Sequence, residues 1–158
     1  MTLDSLVLGD IVAGSVFGVI ITALVWGPCA VYLHLPLADA GVLFAGLVLG
    51  ALAFAALGTL LASTATDTPS TVMMLSILIR LPLIFVSGIF IPLGQMTGWE
   101  RVLTSLSPLT YLVDLFHAAL NGDAVYPPAF DGVMLVVILL IFIYGAKIIQ
   151  RRNLVKGL

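Results

Sequence analysis

Apolar residues in this chain come in long, almost unbroken runs, without the strict alternation of a half-buried strand. Four runs, near 11–33, 40–62, 70–92 and 129–149, can each cross a hydrocarbon core of about 30 Å, which takes roughly 20 helical residues. Turn chemistry separates them. His34-Leu35-Pro36 closes the first, and Asp39 is placed to cap the second. In "STATDTPS", Thr68 before Pro69 has the pattern of a helix start, while Tyr126-Pro127-Pro128 precedes the last run. Gly14 with Gly18, and Gly46 with Gly50, have the small-xxx-small spacing that lets helix backbones approach closely in lipid, and plain helix packing is the expected role.

The pattern changes over residues 93–122. Trp99, Val102, Leu103 and Leu106 fall at helical spacing, with Glu100, Arg101, Thr104 and Ser105 on the other face, which predicts a short amphipathic helix. Ser107-Pro108 then reads as a second helix start, and the helix runs through "LTYLVDLFHAAL" to Asn121, with Gly122 as its C-terminal stop. Asp114, His117 and Asn121 are expected to share one face, with Leu112, Leu115, Phe116 and Leu120 opposite. Fifteen helical residues reach only about 22 Å, too short to span. The fold expected is therefore an all-α membrane protein in a single domain, with four transmembrane helices and an extracytoplasmic re-entrant helical hairpin before the last span. Such a hairpin is tolerated where its backbone ends are buried in protein or reach water.

Composition strengthens that reading: 61% of the 158 residues are hydrophobic and 9% charged, against about 25% charged in a soluble domain. Four of the six Lys/Arg residues, Lys147, Arg151, Arg152 and Lys156, cluster at the C-terminal end, which the positive-inside rule places in the cytoplasm. Four crossings return the N-terminus to the same side, giving an integral protein of the plasma membrane with both termini cytoplasmic. A net charge of −2 offers no electrostatic case for nucleic acid. Cys29 is the lone cysteine, so neither an intrachain disulfide nor a cysteine metal site can form.

The run "SGIFIPLGQMTGWERVLTSLSPLTYLVDLFHAALNG" resembles the signature of type-2 ATP-binding-cassette (ABC) exporter permeases. In that family the penultimate helix ends in a Ser-Gly-aromatic-Pro pattern, followed by a Trp-containing helix, a Pro-Leu-Thr-Tyr turn and an Asp. Ser87, Gly88, Phe90, Pro92, Trp99, Pro108, Leu109, Thr110, Tyr111 and Asp114 are the matching residues. The resemblance implies a permease that works as a dimer, as a homodimer or with a related chain, in membrane lipid. ATP-binding subunits docked on the cytoplasmic side would drive it, with ATP and Mg held on that partner and no cofactor on this chain. It implies export of a drug, a lipid or a glycan. Members have six spans, so the expectation is that two spans of the family pattern are lacking here. A non-transporting accessory protein or a truncated permease remnant is the alternative.

Arg80 is the costliest residue of the third run, since an arginine at mid-membrane costs about 2.5–3.5 kcal/mol on insertion scales. It either contacts an anionic substrate or pairs structurally with neighbouring polar groups, and no clear intramembrane acid offers itself. Pro82 is expected to kink the same helix. Arg80, Pro82, Ser87 and Gly88 are the candidate pathway residues; Pro92, Trp99, Pro108, Thr110, Tyr111 and Asp114 form the candidate outer gate. Trp26, Trp99, Tyr111 and Tyr126 fit an aromatic belt. His34 and His117 lack metal-ligand company. The sequence contains no His-Glu-x-x-His motif, no paired membrane aspartates by this reading, and no phosphate-cradling Gly-x-x-x-x-Gly-Lys-Ser/Thr loop, so no enzymatic activity is expected of the chain itself.

Overall fold

The computed structural model describes residues 3–33, 38–64, 69–87, 98, 102, 104–122 and 124–155. They form helices α1 (Leu3–Leu33), α2 (Ala40–Thr64), α3 (Pro69–Val86), α4 (Pro108–Asn121) and α5 (Pro128–Val155). Three of them, over Ser5–Tyr32, Ala40–Thr64 and Pro128–Asn153, are long and apolar enough to cross a membrane. Helix α3, at 18 residues, is the shorter apolar helix of the set.

Local chemistry sets most boundaries where the sequence predicts them. Asp39 Oδ1 accepts the Gly41 and Val42 N–H groups at 2.8 and 3.2 Å, capping α2. Helix α3 starts at Pro69, which has no N–H to leave unpaired. Gly122 ends α4 at φ 74°, a conformation that a Cβ disfavours, and its N–H reaches Ala118 O at 3.1 Å. The first helix differs from expectation. It begins at Leu3 rather than near residue 11, because Val7 and Ile11, 0% and 2% exposed, already pack into the core.

Helix α2 is the hub of the bundle, contacting each of the other four helices. The seam between α1 and α2 is made of small residues: a Cβ on Gly14 would lie 3.2 Å from Ala55 Cβ, and one on Gly18 would lie 3.5 Å from Ala51 Cβ. The glycine pairs therefore serve close packing inside the bundle. Val7, Ile11, Ala56 and Ala146 close one core cluster; Ala53, Tyr111, Leu115 and Leu135 close the other.

Helix directions follow from these contacts. Gly14 and Gly18 meet Ala55 and Ala51 in descending order, so α1 and α2 are antiparallel. Along α5, Gly132 meets Leu49, Gly145 meets Leu60, and Asn153 Nδ2 donates to Ser63 O at 2.9 Å. Helices α2 and α5 therefore run parallel. Helix α4 is antiparallel to both, with Leu112 beside Gly50, Leu115 beside Gly46, and Ala119 O accepting the Ala38 N–H at 2.8 Å. It fills the corner where α2 and α5 begin, and its own first turn lies level with the middle of α2, where Ala53 packs with Tyr111.

Outward faces are apolar. Phe17, Ile21, Leu24, Met74, Leu78, Leu140 and Ile141 are all more than half exposed. Lipid is the solvent that accepts such a surface, and inside it the polar groups must pair locally. Ser15, Thr59, Ser63 and Thr64 do so, each donating its hydroxyl to a carbonyl three or four residues back.

Candidate functional site

Two polar features stand out in this apolar frame. The first is a groove of about 690 Å³ between α1, α2, α3 and α4. Its walls are largely glycine and apolar side chains, among them Gly14, Gly18, Gly50, Gly58, Phe54 and Phe116, and its charged residues are Asp10 and Arg80. Both are exposed. Glycines open this groove because they keep the α1–α2 seam narrow without filling the space in front of it. A volume of this size is in the range of small-molecule sites. Arg80 lines this open groove from α3. Pro82 lies inside α3, exposed, and the helix continues past it to Val86. Ser87 is fully buried and donates its Oγ to Ile84 O at 2.8 Å, a local bond at the end of α3. Gly88, Phe90, Pro92 and Trp99 lie outside the described residues.

The second feature is the α4–α5 corner. Ser107 occupies the N-cap of α4 with φ −87° and ψ 124°, and Pro108 is the first helical residue, as predicted, yet the serine hydroxyl makes no capping bond. Tyr111, 2% exposed, donates its phenol to Ser105 O at 2.7 Å, which ties α4 back to the segment before it. Tyr111 is thus a core residue rather than part of an interfacial belt. Its ring meets Phe130 edge-on at 6.4 Å, and Phe130 in turn meets Tyr126 at 5.5 Å.

Asp114 overturns the face assignment made from the sequence. It is 1% exposed and points inward with Tyr111, Leu115 and Ala118, whereas His117 and Asn121 are exposed. The physical reason is a pair of donors that sequence spacing does not reveal. Asp114 Oδ1 accepts the Val125 N–H at 3.0 Å and Oδ2 accepts the Tyr126 N–H at 2.8 Å, so the carboxylate organises the loop that leads into α5. In the segment before α4, Val102 and Leu106 are 63% and 73% exposed and Thr104 is buried at 3%. Its described residues turn their apolar edge outward, the reverse of a helix lying on a soluble core.

Asp131, not weighed in the sequence, is the other surprise. It stands in the first turn of α5, is 0% exposed, and neither carboxylate oxygen has a hydrogen-bond partner. The expectation that the chain holds no clear intramembrane acid is therefore corrected. An acid in a first helical turn normally complements the helix dipole in water, and that pattern hides its burial here. Ser107 Oγ and Thr110 Oγ1, on residues 1% exposed, are likewise buried without partners. Among the described residues no three His, Cys, Asp or Glu side chains are grouped to hold a metal ion.

Comparison with known families gives one match: a model described as ABC-2 type transporter fits residues 1–121, ending at the last residue of α4. No curated protein matches the chain, and no solved structure matches it.

Proposed function

The chain belongs to the ABC-2 type transporter family, and from that membership we propose that it is the membrane-spanning subunit of an ABC exporter. Its substrate is an amphiphile of the drug, lipid or glycan class, and a separate ATPase subunit supplies the energy. The observation that carries the reading beyond the family is the groove, largely apolar, with one guanidinium, that of Arg80, in its lining. An amphiphile with an acidic or phosphorylated head would place its tail against the glycine-lined α1–α2 wall and its head at Arg80.

The parallel run of α2 and α5 supports a fourth crossing. The chain leaves α2 at one side of the bundle and enters α5 at the other, so residues 65–127 must return across it. Helix α3 is the segment available, and at about 1.5 Å per residue its 18 residues cover about 27 Å. Helix α4, with its first turn at mid-bundle and its last at the end, suits the re-entrant arm of an outer gate. In the mechanism proposed, ATP-driven closure of the partner subunits on the cytoplasmic side changes the packing of two permease copies. Helix α3 packs against α2 and α4, and lightly, so it is the element freest to shift.

Reconstitution of the chain with its ATPase in lipid vesicles tests this. Arg80→Leu is expected to alter transport of anionic amphiphiles while membrane insertion stays intact, and Arg80→Lys to keep part of it. Transport unchanged in Arg80→Leu removes Arg80 from the pathway; purification from native membranes with no ATPase partner would sink the exporter reading itself.

A further inference from the structure

The α4–α5 corner buries two acids at the same joint. Asp114 sits between Tyr111 and Leu115 on α4, Asp131 one turn before Leu135 on α5, and Tyr111, Leu115 and Leu135 belong to one core cluster. The two carboxyl groups lie side by side. Their surroundings differ in kind. Asp114 has an N–H donor on each oxygen, which is the environment of a carboxylate. Asp131 has none on either oxygen and no solvent, which is an environment a bare carboxylate cannot occupy without a large penalty.

Among the described residues, no positive charge is arranged to relieve this. The ionisable groups facing the pair are Tyr111 on α4 and Tyr126 in the loop. Asp39, the cap of α2, has its Oδ1 engaged at its own helix start. None of the three carries a positive charge that could offset a second negative charge at Asp131. A donor can come from a proton on Asp131 itself, given to an Asp114 oxygen that still has a free lone pair.

We propose that Asp114 and Asp131 form a proton-binding site, sharing one proton in an acid–carboxylate hydrogen bond that fastens the re-entrant helix α4 to the last span α5. The joint is closed while the proton is bound. Its release leaves two carboxylates face to face in an apolar corner, and α4 and α5 are driven apart or water enters. Because α4 is the proposed gate arm, the site gives the gate a dependence on pH at the face where the loop 124–127 meets solvent. The proton site depends on the fold alone, whereas its effect on a gate rests on the proposed function.

Infrared spectroscopy of the full chain in lipid bilayers, titrated from mildly acidic to mildly alkaline pH, tests it without any substitution. The expected result is a carbonyl-stretch band of a buried carboxylic acid, shifted by deuterium exchange and lost as pH rises. Thermal unfolding is followed in parallel. Stability supplied by a bound proton is present at low pH and lost as pH rises through its release, so the midpoint should fall with rising pH. Asp131→Asn, which mimics the protonated acid in shape and keeps a donor for Asp114, should abolish both the band and the pH dependence while the chain still folds. Absence of the acid band in the unaltered chain at mildly acidic pH overturns the proposal, as does its persistence in Asp131→Asn. Stabilisation by sodium over choline at equal ionic strength, lost in Asp131→Asn, would also overturn it, assigning the site to a metal ion.

Discussion

Replacing Asp114 by alanine is the sharpest test of how the corner between α4 and α5 is held. The side chain is 1% exposed and receives two backbone N–H bonds, from Val125 at 3.0 Å and Tyr126 at 2.8 Å. Hydrogen bonds to a charged group contribute about 1.5–3 kcal/mol each, and a donor left unpaired when buried costs about 1–3 kcal/mol. Val125 is exposed and Tyr126 half-buried, so water can repair part of the loss after truncation. The net expectation is a destabilisation of about 2–3 kcal/mol, toward the lower end of what two such bonds supply. At about 2–4 °C per kcal/mol for a chain of this size, the unfolding midpoint in detergent should fall by about 4–12 °C. Asp114→Asn keeps one acceptor oxygen and turns an NH₂ group toward the other N–H, so it should fall between wild type and alanine. Hydrogen exchange localises the effect, with faster exchange expected at the Val125 and Tyr126 amides and little change along α1. An alanine variant with an unchanged midpoint and unchanged exchange at those two amides would refute the reasoning.

Two further substitutions test the packing. Gly14→Leu places a side chain where even a Cβ would stand 3.2 Å from Ala55 Cβ, and should cost about 1–3 kcal/mol in unfolding experiments by forcing α1 off α2. Gly9→Leu, where nothing lies within 4 Å, is the matched control, and equal losses in the two variants would disprove the seam. Tyr111→Phe removes the 2.7 Å bond to Ser105 O and should lower stability by about 0.5–1.5 kcal/mol, read as a midpoint drop of a few degrees with faster proteolysis ahead of α4.

The features legible in the sequence are those fixed by near neighbours. The cap at Asp39, the proline start of α3 and the glycine stop at Gly122 each depend on atoms within a few residues, and each appears where the pattern puts it. The long apolar runs marked the membrane, and the glycine spacing marked close packing. Features fixed by distant partners were hidden. Asp114 faces inward because donors eleven and twelve residues away receive it, so counting helical faces within α4 put it with the wrong companions. The start of α1 was masked by Asp4, Ser5, Gly9 and Asp10, which look like a polar lead-in although Val7 and Ile11 between them reach the core. Of the candidate site, Arg80 was legible because a charge in an apolar run is rare; Asp131 was not, because it resembles an ordinary helix-start acid. One signal would have served: Asp131, Leu135 and Ile138 share a stripe, and an acid on a stripe that faces the core asks for a partner.

The place of α4 also sets an order of assembly. Its corner has one wall from α2, complete by residue 64, and another from α5, which begins at residue 128. A ribosome that has made the chain through Asn121 has therefore supplied half a socket, and the carboxylate of Asp114 still lacks the loop amides that will receive it. Until those amides and α5 emerge, that charge is best solvated by water. The last helix is then more than an anchor. Its arrival completes the corner that receives α4 and the Asp114 carboxylate.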